Sequence, residues 1–314
     1  MRRTHLSIVL GALLLACGAC ATPGPKRLAA PTGALAQEKP AAPAGAEAKP
    51  LRVYLIGNSL TYNVFQNPDT TSFMDERGHR FVHGMDICWG SPLSRIWSQP
   101  TTGSATTEPY GYYEKALTEY EWDVVTLQPY SSQLDGEKGD VASAVRFIEY
   151  ARRKSPNAQF YIYQDWPAKE REGFDFSQMW MRECADGKSG WGLHSRDYCE
   201  KLVRGIREAL PGLKRPVLVI PGGDVLYELD QRMKAGKVPG YRGAAELYAD
   251  KIHTNAVGNY AVRCAFYATL YGVDPRGLPT TIAGKAPVSD ELAAIFQDAA
   301  WKVVSEHALA AVRR

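Results

Sequence analysis

Five short runs rich in β-branched and aromatic residues recur along the chain, and helix-like segments separate them. Three of these runs contain VYLI, VVTL and VLVI, which lack the polar alternation of a strand with one solvated face. Strands that alternate with helices form βαβ units and a mostly parallel sheet. The sequence therefore predicts an α/β fold, a three-layer α/β/α sandwich with a mostly parallel central sheet. The predicted strands are Arg52–Ile56, Phe81–Cys88, Trp122–Gln128, Gln159–Tyr163 and Pro216–Ile220.

Four segments between and after these runs carry apolar residues at helical spacing. They cover residues 111–120, 140–156, 196–212 and 255–272. The last segment ends on Gly272, a residue type that commonly caps the C-terminus of a helix. We therefore expect helices in these four segments.

The N-terminus has the pattern of an export signal. Two arginines precede the apolar run Leu6–Ala16, which is too short to span a bilayer comfortably. Cys17 and Cys20 are both candidates for the modified cysteine of a bacterial lipoprotein; ordinary signal cleavage and a retained anchor helix are the alternatives. We therefore expect residues 1–20 to direct export, and the mature protein to be periplasmic or at the cell surface, anchored by lipid to a bacterial membrane.

Residues 21–50 are rich in Ala, Pro and Gly, and such a segment buries too little apolar surface to offset the entropy of ordering it. They predict a disordered linker that leads into one folded domain over 51–314. The net charge is only +3 and no block of basic residues stands out, so we expect no nucleic-acid partner. Membrane contact is expected only through the N-terminal lipid anchor, and the oligomeric state is left open.

Four cysteines lie beyond the N-terminal segment, and in an oxidising compartment they can pair. Cys184 and Cys199 flank a loop-like insert and are the preferred disulfide, although four cysteines allow three pairings and the sequence does not choose among them. Their spacing contains no Cys-x-x-Cys, so neither a zinc ribbon nor a thioredoxin-type site is expected.

Polar residues and glycines follow the predicted strands. Gly57-Asn58-Ser59 follows the first strand, Gly90 follows the second, and Gln128 ends the third. In an open α/β sheet, ligands bind outside the carboxyl ends of the strands. The sequence therefore predicts a functional site at this edge of the sheet, although βα loops often have this composition without one.

Asp250 and His253 stand three residues apart, just before the last predicted helix. Within one turn, this spacing lets the carboxylate hold one ring nitrogen and leaves the other free for a hydroxyl group. The plain alternative is a surface aspartate beside a histidine at a helix start. A metal pair is a weaker alternative, because no third ligand lies nearby in the sequence.

Taken together, these blocks resemble the SGNH, or GDSL-like, hydrolases. The resemblance rests on four blocks. The first is Gly57-Asn58-Ser59-Leu60 after the first strand, and the second is Gly90, which lies 31 residues after Ser59. The third is the segment 122–133, and the fourth is Asp250-x-x-His253. The blocks stand in the order of the family over roughly 51–272, and the resemblance implies a flavodoxin-like fold of the SGNH-hydrolase type. Two positions depart from the pattern.

The departures are Asn58 and Gln128. Asn58 stands where the family usually has an aspartate before the serine, and Gln128 stands near the position of the family's asparagine in the third block. Glutamine carries the same side-chain NH₂ donor one methylene further out. The departures put the geometry of the predicted oxyanion hole in question.

The mechanism that the resemblance implies is acyl transfer to water. Ser59 attacks an ester carbonyl, His253 takes the proton and returns it to the leaving alcohol, and Asp250 holds the imidazole. The backbone N–H groups of Ser59 and Gly90, together with the Gln128 amide, would stabilise the oxyanion. This chemistry needs no metal or organic cofactor.

The insert at about 164–200 carries aromatic residues that would suit stacking on sugar rings; their packing onto the domain is the alternative. Asn58, Trp166 and Arg182 are the candidate substrate contacts. By family analogy, an exported hydrolase with this insert suggests an O-acetyl esterase that acts on a carbohydrate, with a small-molecule or polysaccharide ester as substrate. The aromatic residues of the insert are Trp166, Phe174, Phe176, Trp180 and Trp191.

Two other functions are compatible with the same residues. One is a non-catalytic, surface glycan-binding lipoprotein on the same fold, which the changes at Asn58 and Gln128 motivate. The other is an O-acyltransferase with the same triad, because the sequence does not distinguish water from a sugar hydroxyl as the acceptor. A phosphate-binding flavodoxin-like domain is disfavoured, since the loop GNSLTYN has one glycine and no lysine.

Overall fold

A six-stranded sheet organises the part of the chain that the computed structural model describes, residues 49–66, 69–130, 132–169, 173–184, 194–281 and 286–310. The predicted export signal with Cys17 and Cys20, nearly all of the predicted linker, and Trp191 lie outside these residues. Among the described helices, none combines the length and hydropathy needed to cross a bilayer. The strands are β1 (Leu51–Gly57), β2 (Phe81–Ile87), β3 (Ala105–Thr106), β4 (Val124–Leu127), β5 (Gln159–Tyr163) and β6 (Leu218–Ile220).

The strand order is β3-β2-β1-β4-β5-β6, and only β3 is antiparallel to its neighbour. The five parallel strands, numbered in chain order, therefore stand in the order 2-1-3-4-5, which is the flavodoxin-like order. All residues of β4, β5 and β6 are buried, as the missing alternation predicted. The predicted α/β fold with a mostly parallel sheet is confirmed, while the short edge strand β3 was not predicted.

Helices cover both faces of this sheet. Helices α1, α8, α9 and α10 pack on one another, and α3, α4, α5 and α7 form a second group. All four predicted helices are present, as α4, α5, α7 and α9. The bounds are α1 (Ser59–Phe65), α2 (Asp69–Met74), α3 (Leu93–Ser98), α4 (Tyr113–Glu119), α5 (Asp140–Ala151), α6 (Phe176–Trp180), α7 (Arg196–Ala209), α8 (Gly222–Lys234), α9 (Ala256–Tyr271) and α10 (Asp290–Glu306), with 3₁₀ turns at Glu76–Gly78 and Ala244–Leu247.

The strand order places one crevice at a defined point of the sheet. From β1 the chain crosses to β2 on one side and then to β4 on the other, so the carboxyl ends of β1 and β4 form the topological switch point. The two ends are in register, because the Gln128 N–H donates to the Ile56 carbonyl at 2.9 Å. Ser59 and Gln128, which follow these strands, therefore lie at the edge where such sheets bind ligands.

The predicted disulfide between Cys184 and Cys199 does not form. Cys199 is a free thiol, buried on the apolar face of α7. The backbone of Cys184 is held elsewhere on that helix, where its N–H donates to Asp197 Oδ2 and its carbonyl accepts from Lys201 Nζ, both at 2.7 Å. Residues 197 and 201 share one helix face and residue 199 points away from it, so Cys184 docks on the wrong side of α7 for this pairing.

Candidate active site

The chain between β1 and α1 is a tight turn that presents Ser59. Asn58 caps the helix, with its Oδ1 accepting from the Leu60 N–H at 3.0 Å, so Ser59 is the first helical residue. Gly57 leaves no room for a side chain, because a Cβ there would come within 2.5 Å of Thr61 Oγ1. Ser59 is partly exposed, whereas Asn58 is fully buried. Asn58 is thus a cap, and its predicted role as a substrate contact is wrong.

Gln128 holds this turn from the neighbouring strand. Its Oε1 accepts from the Asn58 N–H at 3.1 Å and from Thr61 Oγ1 at 3.2 Å. Its Nε2 donates to the Pro129 carbonyl at 2.6 Å, and the side chain is fully buried. A buried amide must satisfy both of its ends, and here the nearest partners are protein atoms. In this arrangement Gln128 braces the nucleophile turn and does not present a donor to an oxyanion, contrary to the sequence-based expectation.

Asp250 and His253 form the pair that their spacing predicted. His253 Nδ1 lies 2.7 Å from Asp250 Oδ2, and Asp250 Oδ1 accepts from the backbone N–H groups of Ile252 and His253. Partial burial raises the pKa of Asp250, but these three hydrogen bonds outweigh it and lower the pKa to about 2. The ionised carboxylate therefore keeps the proton on Nδ1 and leaves Nε2 as the acceptor.

The loop that carries this pair is fixed at its base and on its side. Tyr248 and Thr254 form an antiparallel bridge across the base, and the Ala249 N–H donates to the His253 carbonyl at 2.8 Å. From the side, Trp166 Nε1 donates to the Ile252 carbonyl at 2.7 Å. Trp166 is fully buried, so its predicted role as a substrate contact is wrong. It holds the loop of the candidate base instead.

Asn63 joins the two halves of the site. It lies one helical turn after Ser59 on α1, and its Nδ2 donates to the Thr254 carbonyl at 2.8 Å and to Asn259 Oδ1 at 3.1 Å. Thr254 directly follows His253, so this hydrogen bond keeps the candidate base beside the first turn of α1. Within the described residues, the Ser59 hydroxyl makes no hydrogen bond to the His253 ring; such contacts are often loose in unliganded sites.

The turn after β2 lies against the nucleophile turn. The Cys88 N–H donates to the Gly57 carbonyl at 3.0 Å, and two residues later Gly90 adopts a left-handed conformation with φ of +57°. Glycine is the residue that tolerates this conformation without strain. Among the described residues, no protein acceptor meets the backbone N–H of Ser59 or of Gly90. Both groups are thus available to a ligand.

Most described aromatic residues of the insert pack onto the domain. Phe176 and Trp180 are buried, and Trp180 Nε1 donates to Asp224 Oδ1 at 2.9 Å. This outcome supports the packing interpretation of these side chains over sugar stacking. Arg182 is exposed beyond the end of α6, with Nη1 3.9 Å from Met179 Sδ, so its role as a substrate contact stays a prediction.

A buried cluster of acidic and histidine side chains borders Gln128, and no local sequence pattern indicated it. His194 Nδ1 lies 2.5 Å from Asp165 Oδ2, both side chains are almost fully buried, and the ring of Tyr130 stacks on the His194 ring. Burial raises the pKa of Asp165, while the charge and hydrogen bond of His194 and a hydrogen bond from Gln128 oppose that shift. This buried cluster therefore lies beside the amide that braces the nucleophile turn.

The fold has known relatives among solved structures. No protein-family model and no curated protein matches the chain. The chain is similar to a DUF4886 family protein from Bacteroides uniformis ATCC 8492, at 17% identity and a TM-score of 0.55, over 82% of this chain and 96% of that one. This likeness shows a shared fold.

Weaker likenesses include a candidate GDSL-like lipase from Parabacteroides merdae ATCC 43184, at 11% identity and a TM-score of 0.39, over 71% of this chain and 96% of that one. They also include a carbohydrate esterase family 2 enzyme with a carbohydrate binding domain from Corynascus thermopiles. Its identity is 11% and its TM-score is 0.38, over 74% of this chain and 69% of that one. By its strand order and its helical layers, the chain has a three-layer α/β/α fold with a mostly parallel, flavodoxin-like sheet, as its sequence predicted.

Proposed function

We propose that this protein is a serine esterase that hydrolyses an ester through an acyl-enzyme. Ser59 is the nucleophile, His253 the general base and Asp250 the carboxylate that orients the base. The observation that carries the proposal is the 2.7 Å contact between Asp250 and His253, on a loop that Asn63 ties to the helix of Ser59. If Asp250 only capped the start of a helix, its own hydrogen bonds would be sufficient. The additional hydrogen bond from Asn63 to Thr254, which holds this loop beside the helix of Ser59, would then have no purpose.

The residues divide the reaction into two steps. Ser59 Oγ attacks the ester carbonyl while His253 Nε2 takes its proton, and the imidazolium then gives that proton to the leaving alcohol. In the second step a water attacks the acyl carbon while His253 takes a proton from the water. The bond between the acyl carbon and Ser59 Oγ then breaks, His253 returns the proton to Ser59 Oγ, and the carboxylic acid leaves. Throughout, the ionised Asp250 stabilises the charged ring.

The oxyanion of both steps would meet the backbone N–H groups of Ser59 and Gly90. Both groups lack a protein acceptor among the described residues, and the Cys88–Gly57 hydrogen bond keeps their turns together. One well-placed donor of this kind lowers the barrier by about 3–4 kcal/mol. Because Gln128 is fully engaged elsewhere, the proposed hole uses backbone donors.

For the substrate we propose an O-acetylated carbohydrate. The side chains of His253 and Asp250 are 30% and 54% exposed, so the pair lies open at the edge of the sheet. An open site admits an ester that is carried on a large polymer, whereas a deep pocket would not. The export signal expected at residues 1–20 would bring such an enzyme to the periplasm or the cell surface, where it meets polymers outside the cell.

The test is acetate release from 4-nitrophenyl acetate and from acetylated xylan by the full-length chain. We expect Ser59→Ala to abolish both activities and also labelling by a fluorophosphonate, while the matched control Ser305→Ala, on the exposed side of α10, behaves as wild type. If wild-type protein that is folded shows neither activity nor labelling, the glycan-binding alternative replaces the esterase. If added xylo-oligosaccharide becomes acetylated and little acetate is released, the O-acyltransferase alternative replaces the esterase.

A further inference from the structure

Trp89 is an exposed indole on the rim of the proposed site. Its exposed fraction is 45%, and among the described residues Trp89 and Met181 are the two exposed large hydrophobic side chains. Trp89 directly precedes Gly90, on the turn that the Cys88 N–H holds against Gly57. An apolar ring left in water beside the proposed reaction centre is placed where it can contact a substrate.

The indole is supported from behind and its backbone is fixed. The ring of Tyr62 packs edge-on against it, with centroids 4.8 Å apart and an interplanar angle of 76°. Tyr62 is three residues after Ser59 on α1, so this packing ties the indole to the nucleophile helix. The Trp89 N–H donates to Ser104 Oγ at 3.0 Å, and its carbonyl accepts from Ser91 Oγ at 3.1 Å. The platform is therefore largely formed before a ligand arrives.

The loop beside Trp89 offers uncharged hydrogen-bonding groups. Residues 99–104 read QPTTGS, with one amide, three hydroxyl groups and no charge. Ser104 holds this loop against Trp89, and β3 then pairs with the end of β2. The exposed Arg95 of α3 borders the loop and donates to Gln99 Oε1 at 3.4 Å, so its charge is directed at the loop's own amide. A long acyl chain would call for an apolar groove. An aromatic face with neutral polar neighbours fits a neutral sugar ring, which has apolar C–H faces and hydroxyl edges.

We propose that the exposed face of Trp89 stacks on a pyranose ring of a neutral glycan and holds an acetyl group of that ring at Ser59. This inference rests on the proposed esterase function and names the substrate subsite of the same site. It also places the sugar platform on Trp89 in place of Trp166 and Trp180, which are fully buried and have no free face.

Binding tests the subsite without any need for catalysis. Full-length Ser59→Ala protein is titrated calorimetrically with xylohexaose, and the same is done with Trp89 changed to Ala or Phe in that background. We expect Trp89→Ala to weaken binding about tenfold, as the loss of a ring-sized apolar contact implies, and Trp89→Phe to weaken it less. Met181→Ala is the matched control and should bind as the parent does. Equal binding by the parent and the Trp89→Ala protein would overturn the proposal.

Steady-state kinetics of the Trp89→Ala variant, with Ser59 intact, distinguish a substrate-binding role of Trp89 from a purely structural one. In Trp89→Ala we expect kcat/KM to fall about tenfold more on acetylated xylan than on 4-nitrophenyl acetate. The extra loss should come chiefly from a higher KM for the xylan. Equal losses on both substrates would mean that Trp89 only shapes the Gly90 turn, and would overturn the subsite. If no ester is hydrolysed and yet Trp89→Ala loses xylohexaose binding, the esterase fails while the glycan subsite stands.

Discussion

At the scale of single residues, two departures from the family pattern turn out to be partners. Asn58 caps α1 through its side chain, a role that asparagine fills as well as aspartate. Its own N–H donates to Oε1 of Gln128, 70 residues further along the chain. The sequence identifies both positions as unusual, but it does not predict the hydrogen bond between them. A local pattern does not show which strand lies next to β1. Gln128 is thus explained by what it contacts and not by the asparagine that the family has near its position.

Changing Gln128 to Asn separates the bracing role from an oxyanion role. The shorter side chain can no longer reach the Asn58 N–H and Thr61 Oγ1, so we expect a loss of about 1–3 kcal/mol in the free energy of unfolding from unsatisfied buried groups. We also expect a lower kcat on 4-nitrophenyl acetate, because the Ser59 turn loses its support. Urea unfolding and steady-state kinetics measure the two effects. Retained or increased kcat in Gln128→Asn would instead show that an amide donor at this position serves the oxyanion.

Changing Asp250 to Asn tests the orientation of the base. The amide keeps the size of the side chain but removes the charge that stabilises a protonated His253 ring, so we expect kcat to fall by about 10³–10⁴. The pKa of Asp250 is lowered to about 2, so the carboxylate is ionised at every pH above about 3 and its protonation contributes no slope to the pH–rate profile there. The control is Asp274→Asn, another partly exposed carboxylate with a lowered pKa, which should keep wild-type kcat. A similar kcat for both variants would remove Asp250 from the mechanism.

At the scale of elements, the candidate site joins parts of the chain that no local pattern connects. The runs of β-branched residues and the helical periodicity predicted β1, β2, β4, β5, β6 and four helices, because burial on both faces of a sheet or on one face of a helix is written in local spacing. Strand β3 has two residues and so carries no pattern. Helix α8 begins at Gly222-Gly223, a pair with low helix propensity, and was not among the predicted helices. Its start is held by a tertiary contact, in which the Asp224 N–H donates to Gln164 Oε1.

Trp166 and Trp180 offer a matched pair for testing the loop of His253. Both indoles are fully buried and both donate through Nε1, Trp166 to the Ile252 carbonyl at 2.7 Å and Trp180 to Asp224 at 2.9 Å. We expect either change to Phe to cost about 1–2 kcal/mol of stability, because each removes one hydrogen bond of a buried indole; Asp224 Oδ1 keeps its contact with Arg196. Only Trp166→Phe should also lower kcat, since only Ile252 adjoins the candidate base. Equal kcat in the two variants would show that the loop needs no support from the insert.

At the scale of the whole molecule, buried titratable groups link the layers. Asp140 begins α5, Asp165 follows β5, and His194 precedes α7, and these three residues meet with Tyr198. These residues span 58 positions of the chain between Asp140 and Tyr198. Nothing in the sequence signals this meeting, because each residue on its own resembles a helix start or a loop. The cluster makes the stability of the fold depend on pH.

Asp140 provides the clearest test of that dependence. The side chain is fully buried, and its Oδ2 accepts from the Tyr198 hydroxyl at 2.5 Å. Burial raises the pKa of Asp140 from 3.8 to about 7; the charge of Asp165 adds to the shift, while the Tyr198 hydrogen bond and the charge of His194 oppose it. Between these pH values the folded protein holds a proton that the unfolded chain has released. Stability must therefore fall as the pH rises through this range, by up to about 1.4 kcal/mol per pH unit.

Replacing Asp140 by Asn removes this contribution, because the amide accepts from Tyr198 and does not titrate. We expect the difference in the free energy of unfolding in urea, taken as the Asp140→Asn variant minus wild type, to increase by about 2–3 kcal/mol between pH 4.5 and pH 7. Two other buried groups titrate nearby in pH: Asp86, with its pKa raised to about 6 by burial, and His83, with its pKa lowered to about 4 by burial. Both are present in the two proteins, so their contributions cancel in the difference. A difference that does not change with pH would mean that Asp140 is already ionised in the folded state, and that the charge of His194 compensates for its burial.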